Sequence, residues 1–195
     1  MTSPDTPLPT LGTFDVNNTF LSIKVSETEQ DVGFWSSRDY VPSDLGDKLR
    51  QADVLVLPWE EFRQGEPILF PSGTSDVYRA LVDAFGEQVV IAATKEAYKE
   101  IALHANVTRW PTLLVKAAVL PVLLGILANE IDTAAFHHDQ NVEMKIVIAT
   151  QGQACVQIEY KGPANDAVKT LSENAAKFCP HPATAPRHTH PKPNH

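Results

Sequence analysis

Polar side chains suited to hold an anion or a sugar hydroxyl are concentrated in the loop 71–76. Gly73 allows the backbone to turn tightly, and Ser72 or Thr74 can cap a helix that begins there. The first N–H groups of such a helix favour an anion, because the helix itself offers them no acceptor. Asp76, one turn into the helix, can accept hydrogen bonds from a ribose or act as a carboxylate beside a reacting bond. Helix capping alone is the other explanation of this composition.

Locally, this loop is similar to the Gly-Thr-x-x-acid pattern of the nucleoside deoxyribosyltransferase-like and lysine-decarboxylase-like nucleotide-processing families. The pattern corresponds to Gly73, Thr74 and Asp76, with Asp76 two positions after Thr74 where the pattern has three. The similarity is confined to this loop. It implies a phosphate or ribose contact there.

A second group of candidates, Trp59, Glu60 and Glu61, follows the apolar run 53–58. A pair of carboxylates on either side of a sugar can perform acid–base or nucleophilic chemistry at a glycosidic bond. An indole ring can stack on a nucleobase. Solvated charges after a strand, and an aromatic side chain packed on the rim of the domain, are the alternative explanations. The candidate catalytic residues are Asp76 and Glu60, and the candidate ligand-binding residues are Trp59, Ser72, Gly73 and Thr74.

The stretch 52–94 is predicted to form the strand, loop, strand, helix, strand unit that positions both groups. Its apolar runs 53–58, 67–70 and 88–93 show no polar alternation, as is typical of strands buried on both faces. Apolar residues recur every three or four positions in 74–85, which indicates a helix. Ligands of open α/β sheets bind beyond the carboxyl ends of the strands, and both candidate groups follow such ends.

The C-terminal half has a different pattern. Apolar and polar residues alternate in 142–160 around Gln151 and Gly152, which predicts an antiparallel hairpin with one buried face. A helix should follow, with an inner stripe formed by Val168, Leu171, Ala175 and Phe178. The predicted fold class is therefore α/β, with a mostly parallel, Rossmann-like sheet layered by helices, a C-terminal antiparallel hairpin and a final helix.

Four regions are expected along the chain. Residues 1–18 form a flexible lead-in, and 19–108 form the α/β core. Residues 109–179 contribute an apolar helix, the hairpin and the last helix, packed on the core or appended to it. The stretch 180–195 is rich in proline and histidine and is expected to be disordered.

Within the core, four further elements are predicted. The run 20–25 alternates and fits a strand near a sheet edge. The polar stretch 26–40 fits a long loop that can cover a site. Residues 43–51 fit a short helix capped by Ser43. The run 95–106 also fits a helix.

Composition narrows the classes of partner. The chain has 195 residues and a formal net charge of −8, and its 16 basic residues form no cluster, so no nucleic-acid partner is expected. No metal or cofactor motif occurs, and the two cysteines, Cys155 and Cys179, are too few and too far apart for a disulfide framework. The start shows no basic region followed by an apolar run, so a cytoplasmic location is expected.

The apolar segment 110–131 supports an alternative function. Its part 117–129 carries no charge and contains Pro121, which predicts a buried helix bent or broken near that proline. The first hypothesis is a small-molecule binding protein whose ligand is a nucleotide, nucleoside or phosphorylated sugar, and both hydrolysis or transfer at a glycosidic bond and simple sensing of the ligand are compatible with it. The alternative is a non-enzymatic regulatory or effector module, in which this segment mediates oligomerisation or membrane contact.

Overall fold

The computed structural model describes residues 21–102, 107–133, 141–150 and 153–178. The predicted lead-in 1–18 and tail 180–195 lie outside the described residues, as do Cys179 and the side chain of Cys155. The strands are β1 Ser22–Ser26, β2 Val54–Leu57, β3 Trp59–Arg63, β4 Glu66–Pro71, β5 Val89–Ile91, β6 Glu100–Ile101, β7 Val107–Arg109, β8 Thr112–Lys116, β9 Asn141–Thr150 and β10 Gln153–Pro163. The helices are α1 Val32–Ser36, α2 Ser43–Gln51, α3 Thr74–Phe85, α4 Leu120–Thr133 and α5 Ala164–Phe178, with 3₁₀ turns at Gly86–Gln88 and Ala117–Val119.

The main sheet of this α/β protein has seven strands in the order β1-β10-β9-β8-β2-β5, with β7 paired to β9. Strands β2 and β5, β8 and β9, and β7 and β9 run parallel. The pairs β1 with β10, β10 with β9, and β2 with β8 are antiparallel. The sheet is therefore mixed, which corrects the expectation of a mostly parallel sheet. One reason is that the predicted C-terminal hairpin is present but joins the main sheet, and another is that β8 runs antiparallel to β2.

Each face of the main sheet supports its own core. Val54 and Val56 belong to one core with apolar residues of α3, α4 and α5, whereas Leu55 and Leu57 belong to the other with residues of α1 and α2. Successive side chains of a strand point to opposite faces, so β2 is buried on both, as its sequence predicts. The prediction of one buried face for the hairpin is wrong for the end of β9, because Val147 packs in the second core.

The apolar segment 110–131 is a strand followed by a helix. Its first part is β8, which lies between β2 and β9. Pro121 is the second residue of α4, where the backbone nitrogen needs no partner in the helix, so the proline lies at its beginning and α4 continues to Thr133. The lack of charge reflects burial of its leucines in the core, as for Leu123 and Leu127. In the described parts of the chain, no helix is long and apolar enough to cross a membrane.

A second, three-stranded sheet has the order β3-β4-β6. The predicted strand 67–70 belongs to it, as part of β4, and does not lie between β2 and β5. The helix predicted for 95–106 is absent from the described residues 95–102, which form a turn and β6. The ring of Tyr98 packs on Phe70 at 4.8 Å between centroids, a contact that holds this segment against β4.

The N-terminal elements differ from expectation in detail. Strand β1 lies at the sheet edge, as predicted. The predicted loop 26–40 contains α1, whose start is capped because Asp31 Oδ1 accepts a hydrogen bond from the backbone N–H of Phe34 at 2.8 Å. Helix α2 covers the predicted residues, but Pro42 occupies the cap position and Ser43 is the first helical residue.

Candidate functional site

A cleft of about 540 Å³ lies at the edge of the main sheet where β2 ends. Leu57, the last residue of β2, pairs with Thr112, the first residue of β8. Because β9 runs parallel to β8, the amino end of β9 lies at the same edge. The cleft is lined by Gln30, Trp35, Pro58, Trp59, Glu60, Phe62, Arg109, Trp110, Thr112, Glu143, Met144, Lys145 and Glu159.

All three tryptophans of the chain line this cleft. Trp35 and Trp110 are each only 4% exposed and form buried parts of its wall. Trp59 packs against Phe62 with ring centroids 5.0 Å apart and an angle of 37° between the planes. Phe62 is 48% exposed, which is unusual for so large an apolar side chain. The cleft therefore offers aromatic surface to a flat apolar group.

Charged groups lie on the sheet side of the cleft. Arg109 Nε donates to Glu143 Oε2 at 3.0 Å, across the β7–β9 pair. Lys145 faces Glu159 across β9 and β10 and forms no ion pair with any residue that the structure describes. The Glu159 carboxylate accepts a hydrogen bond from Gln157 Nε2 at 2.7 Å. Arg109 and Lys145 thus bring two cationic side chains to a cleft with aromatic walls, which the carboxylates of Glu60, Glu143 and Glu159 also line.

Trp35 supplies a further polar feature. Its indole Nε1–H is buried and has no hydrogen-bond partner in the described part of the chain. Buried donors in folded proteins are nearly always paired, with protein or with water. An acceptor atom of a bound molecule would satisfy this one.

Glu60 is held in place by residues that follow α1. Its Oε1 accepts hydrogen bonds from Arg38 Nε at 2.6 Å and from the Tyr40 hydroxyl at 2.8 Å. The Glu60 side chain is 18% exposed. The hydrogen bond to Glu60 raises the pKa of Arg38. Burial, and then the same carboxylate, raise the pKa of Tyr40, so its hydroxyl stays protonated at neutral pH.

The amino end of α3 already carries an anion from the chain itself. The backbone N–H groups of Gly73 and Ser75 donate to the two carboxylate oxygens of Glu100 at 3.0 and 2.9 Å. The Tyr98 hydroxyl also donates to Glu100. Burial raises the pKa of Glu100, but hydrogen bonds from Tyr98, Ser75 and Gly73 outweigh burial and lower the pKa overall. Gly73 adopts a left-handed conformation, with φ of 89°, as a tight turn before a helix requires.

The remaining candidates of the loop 71–76 have other surroundings. Thr74 is fully buried, and its hydroxyl donates to the Pro71 carbonyl at 2.6 Å. The Asp76 side chain is 72% exposed and pairs with Arg79 at 3.3 Å. Ser72 lines a smaller cavity of about 230 Å³, which also contains Arg109.

The structure thus brings Trp59 and Glu60 together in the large cleft and places Ser72 on a cavity that shares Arg109 with it. Gly73, Thr74 and Asp76 do not line the large cleft. Sequence reasoning missed Trp35, Trp110, Arg109 and Lys145. The one available signal was the small number of tryptophans, three in the whole chain.

Comparisons with models of protein families, with curated proteins and with solved structures found no match to this chain. The functional argument consequently rests on the geometry of the cleft.

Proposed function

We propose that this protein binds a nucleotide or nucleoside in the cleft at the end of β2. The observation that carries the proposal is the convergence of Trp35, Trp59 and Trp110 on one cavity. Its volume of about 540 Å³ falls within the roughly 300–1,000 Å³ typical of small-molecule sites. Aromatic side chains stack on nucleobases, and such a contact contributes about 1–3 kcal/mol per base.

The cations of the cleft support a phosphorylated ligand. Lys145 forms no ion pair with any described residue. Arg109 forms one within the described chain, with Glu143. Arginine and lysine side chains are well suited to phosphate, through charge-assisted hydrogen bonds. The proposed arrangement therefore stacks the base near Trp59 and directs the phosphate toward Lys145 and Arg109.

The proposal concerns binding and leaves out the hydrolysis or transfer at a glycosidic bond considered for the sequence. That chemistry needs two carboxylates on either side of the sugar. Asp76, the expected partner of Glu60, is largely exposed and pairs with Arg79 outside the large cleft.

Intrinsic tryptophan fluorescence tests the proposal directly, because all three fluorophores line the cleft. We expect nucleoside 5′-monophosphates to change the emission in a saturable way, nucleosides to bind more weakly, and sugar phosphates without a base to bind least. Trp59→Ala should weaken nucleotide binding about 5- to 150-fold, the equivalent of losing one stacked base. Calorimetric titration of this variant provides a readout that does not depend on fluorescence.

Two further variants define where the ligand binds. Lys145→Ala should weaken monophosphate binding more than nucleoside binding, whereas Lys169→Ala removes the same charge from an exposed position on α5 and serves as the matched control. Asp76→Asn tests the loop predicted from the sequence. Loss of affinity in Asp76→Asn with none in Trp59→Ala would place the ligand at the amino end of α3, and the cleft proposal would fail. Absence of any saturable signal with the whole panel would refute nucleotide binding altogether.

A further inference from the structure

The backbone next to Glu60 is unusual. Glu61 has φ of 52° and is the one non-glycine residue with positive φ among those that the structure describes. It lies in an irregularity of the β3–β4 pairing between Glu60 and Arg63. A left-handed conformation is strained for a residue other than glycine, and such residues cluster at binding and active sites. Bulges in strands commonly redirect a neighbouring side chain.

The hydrogen bonds of Glu60 are unevenly divided between its oxygens. Both donors, Arg38 Nε and the Tyr40 hydroxyl, bind Oε1. No donor within the described chain binds Oε2. Glu60 lines the large cleft and also a second cavity, which lies beside Arg38 and Tyr40. The Glu60 side chain is 18% exposed, so its oxygen without a protein donor can accept a hydrogen bond from solvent or from a ligand in the cleft.

The positive charge of Arg38 favours a neutral donor over a cationic one at Glu60 Oε2. Its guanidinium lies 2.6 Å from Glu60 Oε1 and offsets the negative charge of the carboxylate. It is itself fixed over the ring of Phe34 in α1, with Cζ 4.9 Å from the ring centroid. A second cation would gain little from a carboxylate that is already paired. A neutral hydroxyl group depends less on the net charge of the carboxylate and can still donate to Oε2.

We propose that Glu60 is a specificity-determining residue of the cleft, which accepts hydrogen bonds from the ribose hydroxyl groups of the bound nucleoside or nucleotide. Arg38 and Tyr40 are positioning residues that hold its carboxylate in the required orientation. This inference rests on the proposed function. It names the ribose as the part of the ligand that Glu60 recognises. A carboxylate that accepts from ribose hydroxyls is a known solution of nucleotide-binding sites.

The test compares each nucleoside 5′-monophosphate with its 2′,3′-dideoxy analogue on four proteins: the unmodified chain, Glu60→Gln, Tyr40→Phe and Glu173→Gln. Glu173 is exposed on α5, so Glu173→Gln controls for the loss of one carboxylate charge. Calorimetric titration gives the affinity of each of the eight combinations, and circular dichroism establishes that each variant is folded.

For the unmodified chain and the control, removal of the hydroxyls should weaken binding about 10- to 100-fold, as expected for hydrogen bonds to a charged group. Glu60→Gln should weaken binding of the ribonucleotide by a similar factor and leave the dideoxy analogue nearly unchanged. Tyr40→Phe should reduce the discrimination about 3- to 10-fold, because one of the two positioning contacts is removed while the carboxylate remains.

The outcomes separate the two proposals. If both nucleotides bind and Trp59→Ala weakens them, but Glu60→Gln discriminates as strongly as the unmodified chain, the role of Glu60 is overturned and the proposed function stands. If Glu60→Gln does not fold, unchanged discrimination in Tyr40→Phe overturns the inference. If neither nucleotide binds the unmodified chain, the proposed function fails and the inference fails with it.

Discussion

Replacing Glu100 by alanine should destabilise the protein through the start of α3. The variant removes the acceptor for the N–H groups of Gly73 and Ser75, which lie 3.0 and 2.9 Å from the carboxylate oxygens. A lost helix cap costs about 0.5–2 kcal/mol. Because both hydrogen bonds are exposed to solvent, we expect a loss of about 1 kcal/mol. For a chain of this size, that corresponds to a fall in Tm of about 2–4 °C.

The same contact predicts a dependence on pH. The folded structure lowers the pKa of Glu100, so the folded state favours the ionised carboxylate. Its contribution is fully present above the unfolded value of about 4.3 and is lost as the pH falls through the lower folded value. Glu100→Gln, which cannot ionise, should therefore be less stable than the unmodified chain at pH 7. The difference should shrink steadily below about pH 4.3.

Urea denaturation followed by circular dichroism measures both effects, with the free energy of unfolding determined at several pH values. Glu96→Gln is the matched control, since Glu96 is exposed in the same segment. Equal stability of Glu100→Ala and the unmodified chain at pH 7 would refute the cap. A difference between Glu100→Gln and the unmodified chain that is independent of pH would refute the ionic part of the argument.

Three further substitutions test the strain and the packing, each by the change in the free energy of unfolding in urea. Glu61→Gly relieves a left-handed conformation and should stabilise the chain by about 1 kcal/mol, so destabilisation would show that φ of 52° carries no strain. Tyr160→Phe removes the hydroxyl that donates to the Pro163 carbonyl at 2.6 Å and should cost about 1–2 kcal/mol, and a neutral effect would mean that water replaces it. Leu127→Ala empties a fully buried position of α4 and should cost about 2–5 kcal/mol, whereas a loss below 1 kcal/mol would contradict its place in the core.

Local periodicity predicted the elements whose sequence pattern is self-contained. The hairpin within 142–160, the helix 74–85 and the final helix, observed as α5, are confirmed, because their apolar spacing is set by the element itself. Strand β8 was missed because its apolar run, Leu113 to Val115, shows no alternation and is separated from the apolar helix that follows by a single charge, Lys116. Strand pairing was harder still. The placement of β4 in the small sheet depends on β3 and β6, and no pattern within 66–71 specifies those partners.

The site shows the same limit. The rule that ligands lie beyond the carboxyl ends of strands led to the prediction of Trp59 and Glu60, which follow β2 and line the cleft. It could not predict Trp110 or Lys145, because β8, which follows Trp110, and β9, which contains Lys145, have their amino ends at this edge of the mixed sheet. The sequence also did not predict that Glu100 binds the start of α3. Glu100 lies 25 residues beyond Ser75 and contacts it only in the folded chain.

The position of β1 has a consequence for the order of synthesis. Ser22 pairs with Lys161 and Ser26 with Gln157. The first strand of the main sheet therefore cannot pair until the last strand has been synthesised. At about 5–20 residues per second, the ribosome needs roughly 7–26 s to make the intervening chain. During that time Ile23 and Val25 have no native strand beside them. We therefore expect the nascent chain to expose this apolar strand to chaperones, and a version lacking α5 and β10 to leave it exposed permanently.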